Sequence, residues 1–360
     1  MYRRIASMPP AGLELSLSNM YMGPLQFYLR RYGYEIISTN ASFFSLCWIL
    51  REKKLLLHLH WPGSYYGSIF WPKFLLRATW FFTKLLILKL RGFKLAWTIH
   101  NLYPHGAEEV KCVRIHGLIN RACRIALAHL SDVLIVHSRY SKEIVRELFF
   151  AKADRLSIIP TGSLIEWYPF NNLSKADARR KLNVSDESFV YLFFGRIEEY
   201  KGIENLISAF EKTYEESDLL VLVGKATEDL GRKLSSRPSR NIMMDLEFIE
   251  DKRLELYIKA ADVVVLPYRH LLTSGVAIVA LSFGKAIIAP NIAAFPEMLE
   301  DTQSILYDPD SLESLEGALS IAKKLDQSLA EEQALKKATT WQWDRIAQET
   351  ARLFNSITGE

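Results

Sequence analysis

Cysteine is scarce in this sequence. Only Cys47, Cys112 and Cys123 occur in 360 residues, and their spacing matches no metal-binding motif. An odd number of widely separated cysteines predicts buried thiols in a reducing compartment rather than a disulfide framework. The excess of charge of one sign is also small, because 45 basic residues face 41 acidic ones. A net charge of +4 is too low to indicate a nucleic-acid partner, although it allows local contact with an anionic membrane.

The sequence also lacks an uninterrupted apolar run that would cross a membrane. Residues 1–21 begin with basic residues but have no continuous apolar core, so we predict no signal peptide and expect a cytoplasmic protein. The stretch Phe70–Phe93 is the most apolar, yet basic residues interrupt it too often for a span. It predicts an amphipathic helix, which either contacts the inner face of the plasma membrane or packs on a sheet with its lysines turned outward. The interrupting residues are Lys73, Arg77, Lys84 and Lys89.

Length and pattern predict two α/β domains. A chain of 360 residues exceeds a usual single core, and short apolar runs alternate with helical patterns, which is typical of βαβ units and parallel sheets. We expect an N-terminal domain over 1–165 and a C-terminal domain over 166–340, with Asp154–Phe170 as the connection and Ser174 capping a helix at Lys175–Leu182. The strands expected in the second sheet are Tyr191–Phe194, Asp218–Val223, Val263–Pro267 and Ala286–Ala289.

The stretch Tyr191–Phe210, YLFFGRIEEYKGIENLISAF, indicates a ligand site. It predicts a buried strand ending at Gly195 and a helix that begins near Gly202. Backbone amides at a helix N-terminus attract anions, and the neighbouring Arg196 and Lys201 offer two complementary ways of holding phosphoryl oxygens. A diphosphate is therefore the predicted ligand, and a basic loop that merely caps a βα unit is the alternative.

This stretch resembles the donor-site segment of GT-B nucleotide-sugar glycosyltransferases, which carry a G-R-x(3–4)-K-G turn. A second segment, AADVVVLPYRHLLTSGVAIVALSFGKAIIAP at Ala260–Pro290, follows the order of the family's strands and turns, including the PYR and TSG pattern of its family 4-like, group 1 branch. The resemblance implies a GT-B fold, in which two Rossmann-like doubly wound α/β domains face a central cleft. It also implies that a last helix, at about 341–360, crosses back onto the N-terminal domain.

The second segment departs from the family at a glutamate pair. Many retaining members have Glu-x7-Glu before the G-K-P-V turn, but Leu271 and Val279 occupy those positions here. The alternative phosphate ligands are the hydroxyls and amides of the TSGV turn, although the same turn can simply cap a buried helix. The resemblance makes Glu297 the remaining acidic candidate for the ribose or sugar. The other donor-site candidates are Gly224, Lys225, Arg269, Thr273, Ser274, Gly275 and Val276.

Histidines follow three predicted strands in the N-terminal half. The carboxyl ends of parallel strands line the ligand crevice of an open sheet, so these side chains are expected to converge there. We interpret His58 and His137 as structural residues, and His60 and His100 as candidates for the general base, with His100 the first choice. The fallback carboxylates are Glu108 and Glu109.

Acceptor candidates come from the resemblance alone. The segment SLSNMYMGPLQFYL is similar to an N-P-Y-x(2–3)-L-L segment of one branch, although Met20 replaces its proline. Asn19 and Tyr21 are therefore acceptor candidates, and capping of a helix by Ser18 or Asn19 is the open alternative. The matching HLHWP and TIHNLYPH segments add Trp61, Asn101 and His105.

The resemblance thus implies a hexosyltransferase of class EC 2.4 that uses a UDP- or GDP-sugar. The expected acceptor is a glycan or lipid-linked saccharide, in bacterial exopolysaccharide or surface glycan synthesis. We expect no metal and no further cofactor. A catalytically silent nucleotide-sugar or glycan-binding protein on the same fold is the alternative, because fold alone does not fix activity. A phosphorylase or an epimerase of GT-B architecture is a third, less favoured interpretation.

Overall fold

The computed structural model describes residues 4–8, 21–37, 55–67, 71–102, 114–170, 172–237 and 241–359. These residues divide into two compact units. The first contains the described residues up to Thr161 together with those from Trp343 onward, and the second is Gly162–Gln342.

The described part of the first unit contains a six-stranded parallel sheet of order β2-β1-β3-β4-β5-β6. Its central strands are buried on both faces, as in β5 with the sequence VLIV, so they read as continuous apolar runs rather than alternating ones. The strands are β1 (Arg4–Met8), β2 (Glu35–Ile37), β3 (Leu56–Leu59), β4 (Lys94–Thr98), β5 (Val133–Val136) and β6 (Leu156–Ile158).

Strand β6 corrects one sequence-based expectation. Its three residues lie inside Asp154–Phe170, which was expected to be the connection between domains, but they pair in parallel with β5. The strand is short, lies at the sheet edge and contains a serine, so its apolar pattern is too weak to read. The helices of this half of the chain are α1 (Met22–Arg31), α2 (Gly63–Tyr66), α3 (Trp71–Leu90), α4 (Arg114–Leu130) and α5 (Arg139–Phe149).

The described part of the second unit has its own six-stranded parallel sheet, of order β12-β11-β10-β7-β8-β9. All four expected strands are present, but β9 and β12 were missed. Each has a partly exposed, weakly alternating sequence and lies at an edge, where little burial is needed. The strands are β7 (Phe189–Phe194), β8 (Asp218–Val223), β9 (Ile242–Asp245), β10 (Val263–Val265), β11 (Ala286–Pro290) and β12 (Ile305–Tyr307).

Four helices of the second unit begin at a side-chain cap, which is Ser174, Ser274, Ser311 or Asp326. The expected helix at Lys175–Leu182 is present, and the Ser174 hydroxyl accepts a hydrogen bond from Asp177 N at 3.1 Å. The helices are α6 (Lys175–Leu182), α7 (Ile203–Thr213), α8 (Glu228–Ser235), α9 (Asp251–Ala260), α10 (Gly275–Ser282), α11 (Phe295–Leu299), α12 (Leu312–Ala322) and α13 (Gln327–Thr339).

A last helix, α14 (Trp343–Thr358), belongs to the first unit and packs against α1. The Tyr34 hydroxyl donates to Asn355 Oδ1 at 2.6 Å, and Phe354 lies edge-on to the His58 ring at 5.1 Å between centroids. Trp343 and Phe354 are fully buried. The first unit therefore completes its core with residues that follow the whole second unit in sequence.

Candidate active site

Three glycines bring strand ends of the second unit into close contact. Gly195 ends β7 with a φ of +113°, and a Cβ there would lie 3.3 Å from Val276 Cγ2. At Gly224, which follows β8 with a φ of +133°, a Cβ would lie 2.0 Å from the Gly195 carbonyl oxygen. A Cβ on Gly202 would lie equally close, 2.0 Å, to the carbonyl oxygen of Pro267. The two segments singled out in the sequence therefore meet, because only glycine allows this approach.

This meeting point coincides with the place where the strand order of the second sheet reverses. Strand β7 lies between β8 and β10, so the connections leave it in opposite directions. In open α/β sheets a crevice forms at the carboxyl ends of the strands at such a point, and ligands bind there. Gly195 and the N-terminus of α10 lie at this end of the sheet.

The two predicted basic residues lie in different surroundings. Arg196 is 66% exposed, and its Nε lies 3.2 Å from Glu198 Oε1. Lys201 is half-buried, with its Nζ 3.5 Å from the ring centroid of Tyr268, a close cation–π contact. Burial lowers the pKa of Lys201 to about 7, while the nearby Glu198 acts in the opposite direction. Lys201 can therefore take up a proton and become positively charged when an anion binds beside it.

The TSGV turn begins helix α10. The buried Ser274 hydroxyl accepts a hydrogen bond from Ala277 N at 3.2 Å, so it serves as the helix cap, which was the alternative reading of this turn. Thr273 is half-buried, and Gly275 at the first helical position is exposed. The exposed start of α10 is a favourable place for negative charge.

The remaining donor-site candidates lie on loops and helix starts of the second unit. Arg269 is exposed, and its backbone N–H donates to the Tyr200 carbonyl at 2.9 Å, which ties the loop after β10 to the turn before α7. Lys225 is exposed directly after Gly224. Glu297 is half-buried in the first turn of α11.

In the first unit, four histidines cluster at the carboxyl ends of β3, β4 and β5. Tyr21, at the start of α1, is buried among them, with its ring centroid 4.6 Å from that of His100, 5.3 Å from His137 and 5.5 Å from His60. His58 lies 4.1 Å from the His60 ring. The expected convergence of histidines is thus observed, and it includes the two that the sequence suggested were structural.

Hydrogen bonds join three of these rings in series. His137 Nδ1 lies 2.9 Å from the Ile159 carbonyl oxygen, and its Nε2 lies 3.2 Å from His100 Nδ1. His100 Nε2 then lies 3.1 Å from His60 Nδ1. His58 stands apart from this series, since its Nε2 bonds the Thr98 hydroxyl at 2.8 Å. Both ring nitrogens of His100 are engaged, so the first choice for a general base has no nitrogen available for a substrate proton in this arrangement.

Burial keeps the histidine cluster neutral. Desolvation lowers the pKa of His58 to about 3 and that of His137 to about 4, although the bond to the Ile159 carbonyl partly offsets the shift in His137. The pKa values of His60 and His100 also lie well below the usual value, first through desolvation and then through the neighbouring histidines. Burial raises the pKa of the Tyr21 hydroxyl, which a hydrogen bond to Thr98 partly opposes.

The acceptor candidates are only partly within the described residues. Trp61 is half-buried and stacks on His100 with 4.5 Å between centroids and 20° between planes. The Asn101 carbonyl accepts a hydrogen bond from Arg124 Nη1 at 3.4 Å. The other candidates, Asn19 and His105, and the fallback carboxylates Glu108 and Glu109, lie outside the described residues.

The sequence signals and the structure differ mainly in side-chain contacts. His137 ends its strand just as His100 does, so the sequence placed it at the same edge but could not show that the two rings bond. Thr98 gave no functional signal, yet it contacts His58. Tyr268 belongs to the PYR pattern, but the sequence could not show its contact with Lys201. Among the described residues, no group of three or more His, Cys, Asp or Glu side chains is arranged to hold a metal ion.

Two family models match the chain. The model described as "Glycosyl transferases group 1" matches residues 188–322, and that described as "Glycosyltransferase Family 4" matches residues 78–163. Together they cover more than half of the sequence. The chain belongs to the GT-B glycosyltransferases, a family of transferases of class EC 2.4, and its two doubly wound sheets have the α/β fold expected of that family.

Individual relatives are distant. The chain is 25% identical over 251 residues to D-inositol 3-phosphate glycosyltransferase from Corynebacterium glutamicum, and the match spans 65% of this chain and 60% of that relative. Sucrose-phosphate synthase from Thermosynechococcus elongatus has a similar structure, with a TM-score of 0.71, 18% identity and 99% of each chain covered. HepE from Anabaena, in complex with UDP and glucose, has a TM-score of 0.69, 16% identity, and covers 98% of this chain and 99% of its own.

Proposed function

We propose that this chain transfers a hexose-type sugar from a UDP- or GDP-sugar to a glycan or lipid-linked saccharide acceptor. The observation that carries the proposal is the meeting point of Gly195, Gly202 and Gly224 in the second unit. It gathers a half-buried lysine, an exposed arginine and the start of α10 where strand order reverses. Three independent sources of positive potential at the carboxyl ends of these strands suit a diphosphate leaving group. The complex of the similar HepE structure with UDP and glucose supports the same ligand class.

Each basic residue has a distinct role in this proposal. Lys201 provides a point charge against the phosphates and leaves the Tyr268 ring to do so, while Arg196 exchanges its exposed pair with Glu198 for a phosphoryl oxygen. Amides at Gly275 and Val276 face the same charge. Glu297 is the candidate partner of the ribose or sugar.

The proposed reaction also needs a proton acceptor for the hydroxyl that attacks the sugar. His60 and His100 in the histidine cluster of the first unit are the proposed source, with the half-buried Trp61 as an aromatic surface for a saccharide. An inverting mechanism is favoured by this cluster and by the leucine and valine that replace the glutamate pair. The biological setting we propose is synthesis of bacterial exopolysaccharide or another surface glycan.

The proposal is tested by measuring binding and turnover of UDP, GDP, UDP-glucose and GDP-mannose. A ligand at ten times its Kd raises the free energy of unfolding by about 1.4 kcal/mol, which a thermal shift detects. Lys201→Ala should weaken binding of the preferred nucleotide at least tenfold, because one charge-assisted contact is removed. The matched control is Lys212→Ala, which removes an exposed lysine of α7 that pairs with Glu316 on α12. Equal affinity of parent and Lys201→Ala would refute the donor site.

A catalytically silent binding protein is the second candidate, and the missing glutamate pair at Leu271 and Val279 favours it. Binding and turnover distinguish the two. A chain that binds UDP or GDP with the expected dependence on Lys201, but releases no sugar with water or with saccharide acceptors, would be the binding protein.

We further propose that helix α3 contacts an anionic membrane. Several of its outward side chains are apolar, with Leu76 72%, Trp80 50% and Leu90 80% exposed, and the exposed Lys73 lies beside them. This pairing of apolar and basic residues suits the headgroup region of a bilayer, where a lipid-linked acceptor would be held. No helix within the described ranges is both long and apolar enough to pass through a bilayer.

A further inference from the structure

Three imidazoles of the first unit lie in series, and one end of the series is a backbone carbonyl. The Ile159 oxygen is followed by His137, His100 and His60, with nitrogen-to-partner distances of 2.9, 3.2 and 3.1 Å. A carbonyl oxygen can only accept a hydrogen bond, whereas a neutral imidazole donates from one nitrogen and accepts at the other. The carbonyl therefore decides which nitrogen of each ring carries the proton.

The direction follows ring by ring. His137 must hold its proton on Nδ1 to donate to Ile159, so its Nε2 is bare and accepts from His100 Nδ1–H. His100 Nε2 is then bare and accepts from His60 Nδ1–H. The nitrogen left with an unshared lone pair at the end of the series is His60 Nε2. The assignment requires neutral rings, and burial provides this condition.

We propose that these three histidines form a proton relay of fixed direction, in which His60 Nε2 accepts the proton that the attacking hydroxyl loses. This inference rests on the transfer activity proposed above. When the proton binds His60 Nε2, the Nδ1–H bond of His60 breaks and a proton joins His100 Nε2. The His100 Nδ1 proton then moves to His137 Nε2. One proton enters the series at His60. His60 and His100 each pass one proton on, so the positive charge comes to lie on His137.

His137 is the ring best able to hold that charge. As an imidazolium it donates from both nitrogens, and its Nδ1–H points to the partial negative charge of the Ile159 oxygen. The pKa values of His60 and His100 are lowered by burial and by other histidines, and no backbone carbonyl opposes these effects. His60 is thus the proposed catalytic base, and His100 and His137 are positioning residues that act through it.

Tautomers test the direction without any substrate. In protein labelled with 15N at histidine, long-range NMR correlations at pH 7 should show Nδ1–H on His137, His100 and His60, with signals assigned from single His→Gln variants. Replacement of His137 by leucine should release His100 from the Nδ1–H form, while His58→Gln, which lies outside the series, should not. A proton on Nε2 of His100 in the parent chain would overturn the relay.

Enzyme kinetics test whether catalysis uses the proton relay. In His137→Gln the side-chain oxygen can still accept from His100, but no proton can pass onward, so kcat with UDP-glucose or GDP-mannose should fall at least tenfold while KM stays within about twofold. His58→Gln serves as the control for general disturbance of the buried cluster. Equal kcat for His137→Gln and the parent would overturn the relay and leave the transferase proposal standing. Absence of any turnover by the parent would instead remove the transferase proposal, and the tautomers would still decide the direction.

Discussion

At the scale of single residues, Gly224 is a position where the backbone leaves no room for a side chain. Its φ of +133° disfavours any side chain, and a Cβ would lie 2.0 Å from the Gly195 carbonyl oxygen. We predict that Gly224→Ala lowers the free energy of unfolding by about 1 to 3 kcal/mol from the backbone conformation alone, with more from the clash. It should also weaken UDP or GDP binding. Urea denaturation and titration calorimetry measure the two effects.

The matched control is Gly317→Ala in helix α12, where a Cβ would meet nothing within 4 Å. Alanine is the better helix former, so this variant should gain about 0.5 to 1 kcal/mol in stability and keep its affinity for nucleotide. A destabilised Gly317→Ala, or a Gly224→Ala chain as stable as the parent, would contradict the argument from backbone geometry.

Lys201 should make nucleotide binding depend on pH in the neutral range. Its pKa of about 7 means that the ammonium form is lost as pH rises through 7, while a bound diphosphate favours that form. We predict that affinity for UDP or GDP falls by up to tenfold per unit between pH 7 and 9 as binding takes up a proton. Lys201→Arg, which stays charged, should remove most of this slope. Identical slopes for parent and variant would show that another group titrates.

Residue types indicated a candidate chemistry for both sites, but they did not indicate the contacts between side chains. Gly195 and Gly224 could be placed at strand ends from the sequence, because apolar runs stop there, and Gly202 could be placed at the start of a helix. The preference for His100 over His60 could not be checked from the sequence, since it depends on which ring nitrogens face each other. That geometry arises from three strands whose alignment a single sequence does not reveal.

At the scale of elements, two lysines of helix α3 lie in different surroundings. Lys89 is paired with a carboxylate, because its Nζ lies 2.5 Å from Asp132 Oδ2. Asp132 also accepts from Leu95 N at 2.8 Å, so the pair anchors α3 to the start of β4. Lys84 lies over the Trp80 ring at 5.0 Å, on the side of the helix that carries exposed apolar residues.

We therefore predict that Leu76→Glu with Trp80→Glu lowers co-sedimentation with phosphatidylglycerol vesicles at least tenfold, because it removes apolar area and adds repulsion. Lys89→Gln is the control: it breaks the Asp132 pair and lowers stability, but should leave vesicle binding nearly unchanged. If the parent does not sediment with these vesicles at low salt, or the double variant sediments equally well, α3 has no membrane role.

At the scale of the whole molecule, the buried histidines should make the fold sensitive to acid. Each has a pKa below its unfolded value of about 6.5, so the unfolded chain binds protons first as pH falls. Above pH 6.5 there is no effect, and below it each histidine removes up to about 1.4 kcal/mol of stability per pH unit until its folded pKa is reached. For His58 and His137 this window extends down to about pH 3 and 4.

Urea denaturation at pH 7.0 and 5.5 measures this loss. Replacing His58 with leucine should reduce the number of protons taken up on unfolding by one, and so make the decline shallower. The stability of the parent is expected to fall clearly between these two pH values. A constant value would mean that the histidines are already charged in the folded chain.

The two-unit α/β architecture was predictable because it depends on long, repeated patterns rather than on single contacts. Buried central strands such as Asp218–Val223 keep their full bounds from sequence to structure. The edge strands β6, β9 and β12 did not show in the pattern, since an edge needs fewer apolar residues. The return of α14 to the first unit was implied by family resemblance alone, because no local pattern tells a helix which sheet it will cover.

That return has a consequence for synthesis. A ribosome makes residues 21–161 first, but Trp343 and Phe354, which bury Tyr21 and His58, appear only after Gly162–Gln342 has been translated. The described strands of the second sheet all lie within Gly162–Gln342, so the second unit can fold while it emerges from the ribosome. The first unit must wait for α14 with an apolar face uncovered. Nascent chains stalled before residue 343 should therefore be the species that chaperones hold and proteases cut, and cutting should fall within the first unit.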